Sequence, residues 1–264
     1  MKKKVRIVII VLLCLLLLVF IGLFVVYNDK AVAILGYHNI YNSDDEQIKY
    51  NQFIIDVKKF EEQMKYLNEN NYKTLTLDEF YCFKKGKCDY GRKAVMITFD
   101  DGYYYNYKYA FEILKKYGLN AVVFFVGTYA SSSDNNIDND INSFMSLDTI
   151  ELSKKEYPNI EFASHSYNMH GKNNFSNLTK EEIKDDIKKF NSIYKTSYIA
   201  YPGGNYNDKF IEALKESNYK VAFGFGPRHR KARRNDDDFD IPRLNISSLS
   251  HDLSVRSLYF VPTL

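Results

Sequence analysis

Residues 93–104 read KAVMITFDDGYY. The run from Ala94 to Phe99 is apolar almost without interruption and ends abruptly in two carboxylates and a glycine. Strands buried on both faces read as near-continuous apolar runs, whereas strands with one wet face alternate. The stretch is therefore expected to be an inner strand of a parallel sheet covered on both sides. Two adjacent carboxylates at its mouth are costly to keep ionised together unless a cation or hydrogen bonds stabilise them. With a divalent metal present, one aspartate can ligate it while the other stays free to move a proton. A plain surface turn of the x-D-D-G-x type is the alternative.

Outward from this strand the pattern repeats. Strands are expected at 31–38, 93–99, 120–127, 159–165, 197–202, 219–225 and 240–246, with helices near 56–70, 104–117, 146–156, 179–194, 207–217 and 254–260. TKEE at 179–182 is a capping box, and Gly118 stops the helix that starts near residue 104. Strand–helix alternation with doubly apolar strands implies an α/β fold with a parallel sheet. About seven such units favour a closed or nearly closed barrel; a doubly wound open sheet is the alternative. In either, chemistry belongs at the C-terminal strand ends. Tyr37 and His38 end the first strand, Asp100 and Asp101 the second, His165 the fourth, and Tyr201-Pro202-Gly203 the fifth. A polar loop at 131–143 is expected on the same rim.

His165 and His170 stand in SHSYNMH, five residues apart. On a helix their side chains would diverge by about 140°, and on a strand they would face opposite sides. The pair needs a bend. With a bend, both can turn to one metal with Asp101: a carboxylate and two imidazoles form the open ligand set that catalytic zinc uses. Two exposed histidines in a turn are the bland reading.

Composition narrows the function classes. The chain of 264 residues is 45% hydrophobic, enough for a large core, and its net charge of +3 leaves no footprint for nucleic acid. The basic run at 227–235, followed by DDDFD, reads as a charged, mobile surface loop. MKKKVR precedes an apolar run from Ile7 to Val26, long enough to cross a hydrocarbon core of roughly 30 Å. It is read as a signal anchor, single-pass in the cell membrane with the chain after Tyr27 outside, over the alternative of a cleaved signal peptide and secretion. Residues 1–30 are thus taken as a cytoplasmic stub and transmembrane segment, and 31–264 as one domain. Cys82 and Cys88 can close a small disulfide in an oxidising exterior, or remain reduced.

TFDDG, SHSYNMH and AYPGG, in that order, resemble the motifs of the polysaccharide deacetylases, the fourth carbohydrate esterase family with its NodB-homology domain. The resemblance runs from about residue 31 to 246. It implies a distorted (β/α)7 barrel that removes acetyl groups from an extracellular polysaccharide. It also implies a divalent metal, zinc before cobalt, nickel or iron, held by Asp101, His165 and His170, with Asp100 as catalytic base. Two departures, the five-residue histidine spacing and Ala200 where an arginine usually braces the base, resemble the branch acting on poly-β-1,6-N-acetylglucosamine of biofilm, which also opens with a strand ending in Tyr-His. Peptidoglycan deacetylation and a non-catalytic polysaccharide-binding barrel are the rival readings.

Further roles are assigned from the resemblance or from position in the chain. The backbone near Gly203 in Tyr201-Pro202-Gly203 would face the oxyanion, although Gly203 replaces a tyrosine. His38 is assigned to substrate contact or support behind the site, against a buried histidine satisfied by backbone. Arg243, in IPRLNI, would brace Asp100 in place of the missing arginine. The family's general acid is a late histidine; His251 is preferred over His229. The tyrosines of YYYNYKY at 103–109 either stack on sugar rings or pack inward.

Overall fold

The computed structural model describes residues 9–20, 31–44, 51–132, 141–171, 177–225 and 230–247. Residues 9–20 form a helix (α1) with exposed apolar side chains. No helix among the described residues is long and apolar enough to cross a membrane; the rest of the apolar run lies outside the described residues. The chain continues through β1 (Ala31–Tyr37), β2 (Asn39–Tyr41), β3 (Ile54–Asp56), α2 (Val57–Glu69), β4 (Lys73–Thr74), α3 (Leu77–Lys84) and β5 (Ala94–Phe99). A π turn at Asn106–Ala110 leads into α4 (Phe111–Lys116), then β6 (Ala121–Phe125), α5 (Gly127–Ser132), α6 (Leu147–Glu156) and β7 (Ile160–Ser164). α7 (Lys180–Ile193), β8 (Tyr198–Ala200), α8 (Asp208–Glu216), β9 (Val221–Phe223), β10 (Ala232–Arg233) and β11 (Leu244–Asn245) complete it.

β1, β5, β6, β7, β8 and β9 are neighbours in that order and all parallel. Every residue of β1, β5 and β6 is buried, as their two-faced apolar composition demands. Alternation along β5 divides the core: Val95, Ile97 and Phe99 pack under the α2 and α4 helices, while Ala94 and Met96 turn to the other face with Phe124 and Phe223. Phe80 and Phe83 of α3 plug that second cluster.

The sheet is curled, and one segment touches both of its ends. Ile241 bridges to Phe223 of β9, while Leu244 and Asn245 pair in parallel with Leu35 and Gly36 of β1. This is an α/β fold consistent with the distorted (β/α)7 barrel. The seventh strand expected at 240–246 is reduced to that bridge and β11, because Pro242 has no N–H to donate to a ladder. β10 takes the remaining edge of β1, antiparallel, at Ala31 and Val32.

Local signals account for most ends. Thr179 and Glu182 form the expected capping box, and Gly118, with φ 64°, follows α4. Thr76 and Glu79 form a second capping box on α3, a helix not anticipated. The helix expected at 104–117 opens as a π turn, where the buried Asn106 side chain donates to His38 O (2.7 Å) and accepts from Ile40 N–H (3.1 Å). The helix expected near 254–260 lies outside the described residues.

The acid-rich and basic segment is built in rather than mobile across 230–236. Arg230 forks onto Asp236 (2.9 and 2.8 Å), and Arg234 donates to the carbonyls of Phe83 and Cys88 (3.0 Å each). Both guanidiniums are thus held by groups within the fold. Cys82 and Cys88 are joined in a disulfide that closes the loop receiving Arg234.

Candidate active site

The parallel register levels the C-terminal ends of β1, β5, β7 and β8, so His38, Asp100, His165 and Tyr201 follow them on one rim. After Phe99 the Asp100 N–H still donates to Tyr37 O on β1 (2.9 Å), and the chain then turns sharply. Asp101 has φ 70° and Gly102 φ 82°. Aspartate tolerates the left-handed region better than most residues. A Cβ on Gly102 would lie 2.8 Å from that of Phe125, so only glycine fits there. The turn sends the two carboxylates to different partners.

Asp100 is 2% exposed and turns to Arg243. Arg243 Nη1 donates to Asp100 Oδ1 (2.6 Å) and Nη2 to Oδ2 (2.7 Å), a bidentate fork. Arg243 is itself buried, donates through Nε to Gly224 O (2.9 Å), and lies over the Phe225 ring at 4.9 Å. Burial pushes the Asp100 carboxyl up, but the Arg243 guanidinium and His165 outweigh it and hold the group below the ordinary aspartate value. Arg243 therefore stands where the missing brace was sought, 143 residues along the chain.

Asp101 turns to the histidines. Its Oδ1 lies 2.9 Å from His170 Nε2 and 3.4 Å from His165 Nε2. Neither contact is a hydrogen bond, and Oδ1 is left buried without one. One ligand atom from each of the three residues lies within 4.8 Å of the others. His165 Nδ1 sits 2.9 Å from Ala200 O; a carbonyl only accepts, so the proton is on Nδ1 and Nε2 presents its lone pair. An orphaned carboxylate oxygen beside the His165 lone pair and the His170 Nε2 atom suits a divalent cation. Burial pushes Asp101 up, and the imidazoles beside it pull it well below its ordinary value.

The bend between the histidines has a definite construction. Ser166 has φ 70°, and its hydroxyl accepts from Met169 N–H (3.1 Å). Tyr167 N–H and Asn168 N–H donate to the two oxygens of Asp186 on α7 (2.7 and 2.8 Å). Asp186 and Asn106 were not anticipated. Asp186 had a visible signal: it shares the buried face of α7 with Ile183, Ile187 and Phe190, where a carboxylate is out of place.

The other anticipated residues divide. His38 is flanked by the rings of Phe53 (4.6 Å) and Phe225 (5.2 Å). Its Nδ1 is buried without a hydrogen bond, not satisfied by backbone, and burial lowers its pKa. Pro202 is buried and Gly203 exposed, with φ 60°. The Tyr201 ring belongs to the core: its hydroxyl donates to Phe239 O (2.9 Å) and it stacks on Tyr206, so only its backbone is left to serve the site. Tyr103 stacks on Phe144, which contacts Tyr129, whose hydroxyl lies 3.3 Å from His170 Nδ1. Tyr105 is buried, and Tyr104, Tyr107 and Tyr109 pack on the core. His229 and His251 lie outside the described residues.

Three comparisons bear on this geometry. The family model for polysaccharide deacetylase matches residues 87–222. The chain is 30% identical to a poly-β-1,6-N-acetyl-D-glucosamine N-deacetylase of Staphylococcus aureus, over 84% of this chain and 80% of that one. Among solved structures, the Streptococcus pyogenes deacetylase PplD in complex with acetate superposes with a TM-score of 0.73 at 22% identity, covering 89% of this chain and 99% of that one. IcaB from Ammonifex degensii gives 0.70 at 19% identity, covering 88% and 97%.

Proposed function

The chain belongs to the polysaccharide deacetylase family, and on that premise we propose that it is a metal-dependent N-deacetylase of poly-β-1,6-N-acetylglucosamine. The observation that carries the reading is the meeting, on one rim, of the Asp101, His165 and His170 cluster with a second carboxylate forked by Arg243. The choice of polymer rests on the similarity to the S. aureus enzyme, together with the histidine spacing.

Asp101, His165 and His170 would hold the divalent cation, zinc first among candidates. When bound, such a cation polarises a carbonyl and brings a water's pKa toward neutrality. Asp100 takes the proton of the attacking water. Both its oxygens accept from Arg243, but each keeps a further lone pair, so the fork orients the base without consuming it. Holding Asp100 ionised is what a proton acceptor requires. The backbone N–H at Gly203 would donate to the developing oxyanion. Hydrolysis breaks the amide C–N bond, the nitrogen leaves as an amine, and acetate is released; His251 is proposed to donate the amine's proton.

The chain is further proposed to be held in the membrane by residues 7–26 with its catalytic domain outside. The unbroken apolar run and the Cys82–Cys88 disulfide support this. The test is acetate release from poly-β-1,6-N-acetylglucosamine by the purified full-length chain, before and after chelation and zinc or cobalt add-back, beside Asp100→Asn. Metal-dependent release lost in Asp100→Asn is expected. Release from peptidoglycan alone would overturn the polymer, and release from neither would overturn the enzyme reading.

A further inference from the structure

We infer that Asp186 is a positioning residue for the metal cluster, acting through the backbone that separates its two histidines. The inference rests on the metal reading of Asp101, His165 and His170.

The bend from Ser166 to Met169 exposes four backbone N–H groups that no helix or strand can satisfy, and each has a specific acceptor. Ser166 N–H goes to Ser164 Oγ (3.1 Å) and Met169 N–H to Ser166 Oγ (3.1 Å). Both middle donors, Tyr167 and Asn168, go to Asp186. On the opposite side the carbonyls of Ser166 and Tyr167 accept from Gly127 N–H (3.0 Å) and Thr128 N–H (2.8 Å), at the start of α5. The bend is thus clamped between two helices, and on the α7 side the clamp is a carboxylate.

A nearly buried charge on an apolar helix stripe is destabilising unless its hydrogen bonds compensate. Two short N–H contacts to the ionised form are the compensation here. An apolar residue at position 186 would pack as well but would leave both N–H groups without acceptors. His165 is fixed by β7 and by Ala200 O. His170 is placed by the bend, so its distance from Asp101 and His165 depends on the grip of Asp186. The carboxylate holds the five-residue spacing in a shape that returns both rings to one point.

The experiment is cobalt binding to the metal-free full-length chain, followed by the visible absorption of Co2+ and by competition with a chelator. Asp186→Ala is expected to weaken cobalt binding by roughly 10- to 100-fold, as the loss of groups that orient ligands does elsewhere, and to alter the absorption band. Asp186→Asn, which keeps the shape and one acceptor, should weaken it by less, and it decides the matter should Asp186→Ala fail to fold. Glu161→Gln is the control: Glu161 also accepts a backbone N–H across the fold, from Leu77 (2.7 Å), but sits away from the cluster and should leave cobalt affinity unchanged. A lower melting temperature with cobalt affinity within threefold of the parent would overturn the inference, since that is what a merely structural carboxylate would give. Failure of the metal reading looks different: the parent chain takes up no cobalt, or His170→Ala binds it as well as the parent.

Discussion

Replacing Arg243 with methionine removes the guanidinium while keeping much of its length. Asp100 is 2% exposed and Arg243 1%, so the substitution leaves a carboxylate with no cation in a dry site. Breaking a buried ion pair from one side costs about 3–5 kcal/mol. For a domain of this size, where 1 kcal/mol moves the melting temperature by roughly 2–4 °C, that is a fall of about 6–20 °C. Asp100→Asn alone leaves the guanidinium forked on a neutral amide, which is also unfavourable. The double variant removes both charges, so its loss should fall short of the summed single losses by at least ~2 kcal/mol. The assay is urea unfolding of the four proteins, with acetate release measured alongside. Arg243→Met should also lose about 100-fold or more in turnover, because a base that is not oriented forfeits general-base catalysis worth about 10²–10⁴. Additive stability losses, or full activity in Arg243→Met, would refute the claim that the pair acts as a unit.

Gly102→Ala should cost well over 1 kcal/mol in stability, because a Cβ at φ 82° also meets Phe125 at 2.8 Å; a melting temperature equal to the parent's would show that the turn relaxes. Replacing Cys82 and Cys88 by serine should lower stability by about 2 kcal/mol, as expected for so short a closed loop, and unfolding of the parent with and without reductant checks it. Glu161 is half-buried, and burial raises its pKa above the usual 4.5. A carboxyl raised in the folded state contributes stability that is full below the unfolded value and lost as pH rises through the folded one. Glu161→Gln should therefore gain on the parent as pH climbs above 4.5, and parallel stability curves from pH 4 to 7 would contradict this.

Much of the fold was legible because its inner strands are buried on both faces, and runs like AVMITF and AVVFF alternating with amphipathic helices call for a covered parallel sheet. What escaped is instructive. Leu77–Lys84 carries its own capping box, but at eight residues it shows too few turns to stand out as periodic. The seventh strand was overdrawn because an apolar reading of DIPRLNI ignores the missing N–H of Pro242. Asp100, Asp101 and His165 could be read because they directly follow β5 and β7, whose ends share the rim, and His170 because a five-residue spacing calls for a bend. The burial of Asp186 was legible in the apolar stripe it shares, but which backbone it and Asn106 would meet is settled by tertiary packing and not by local pattern.

The segment 241–245 both draws the two ends of the sheet together and carries Arg243 to Asp100. A ribosome that has released only the first 240 residues has already supplied Asp100 and the Asp101, His165 and His170 cluster, yet Asp100 lacks its counter-ion. The counter-ion of Asp100 and the closure of the fold arrive with the same five residues. A truncated or nicked chain that fails to seat them would leave the Asp100 carboxylate without the guanidinium that forks it.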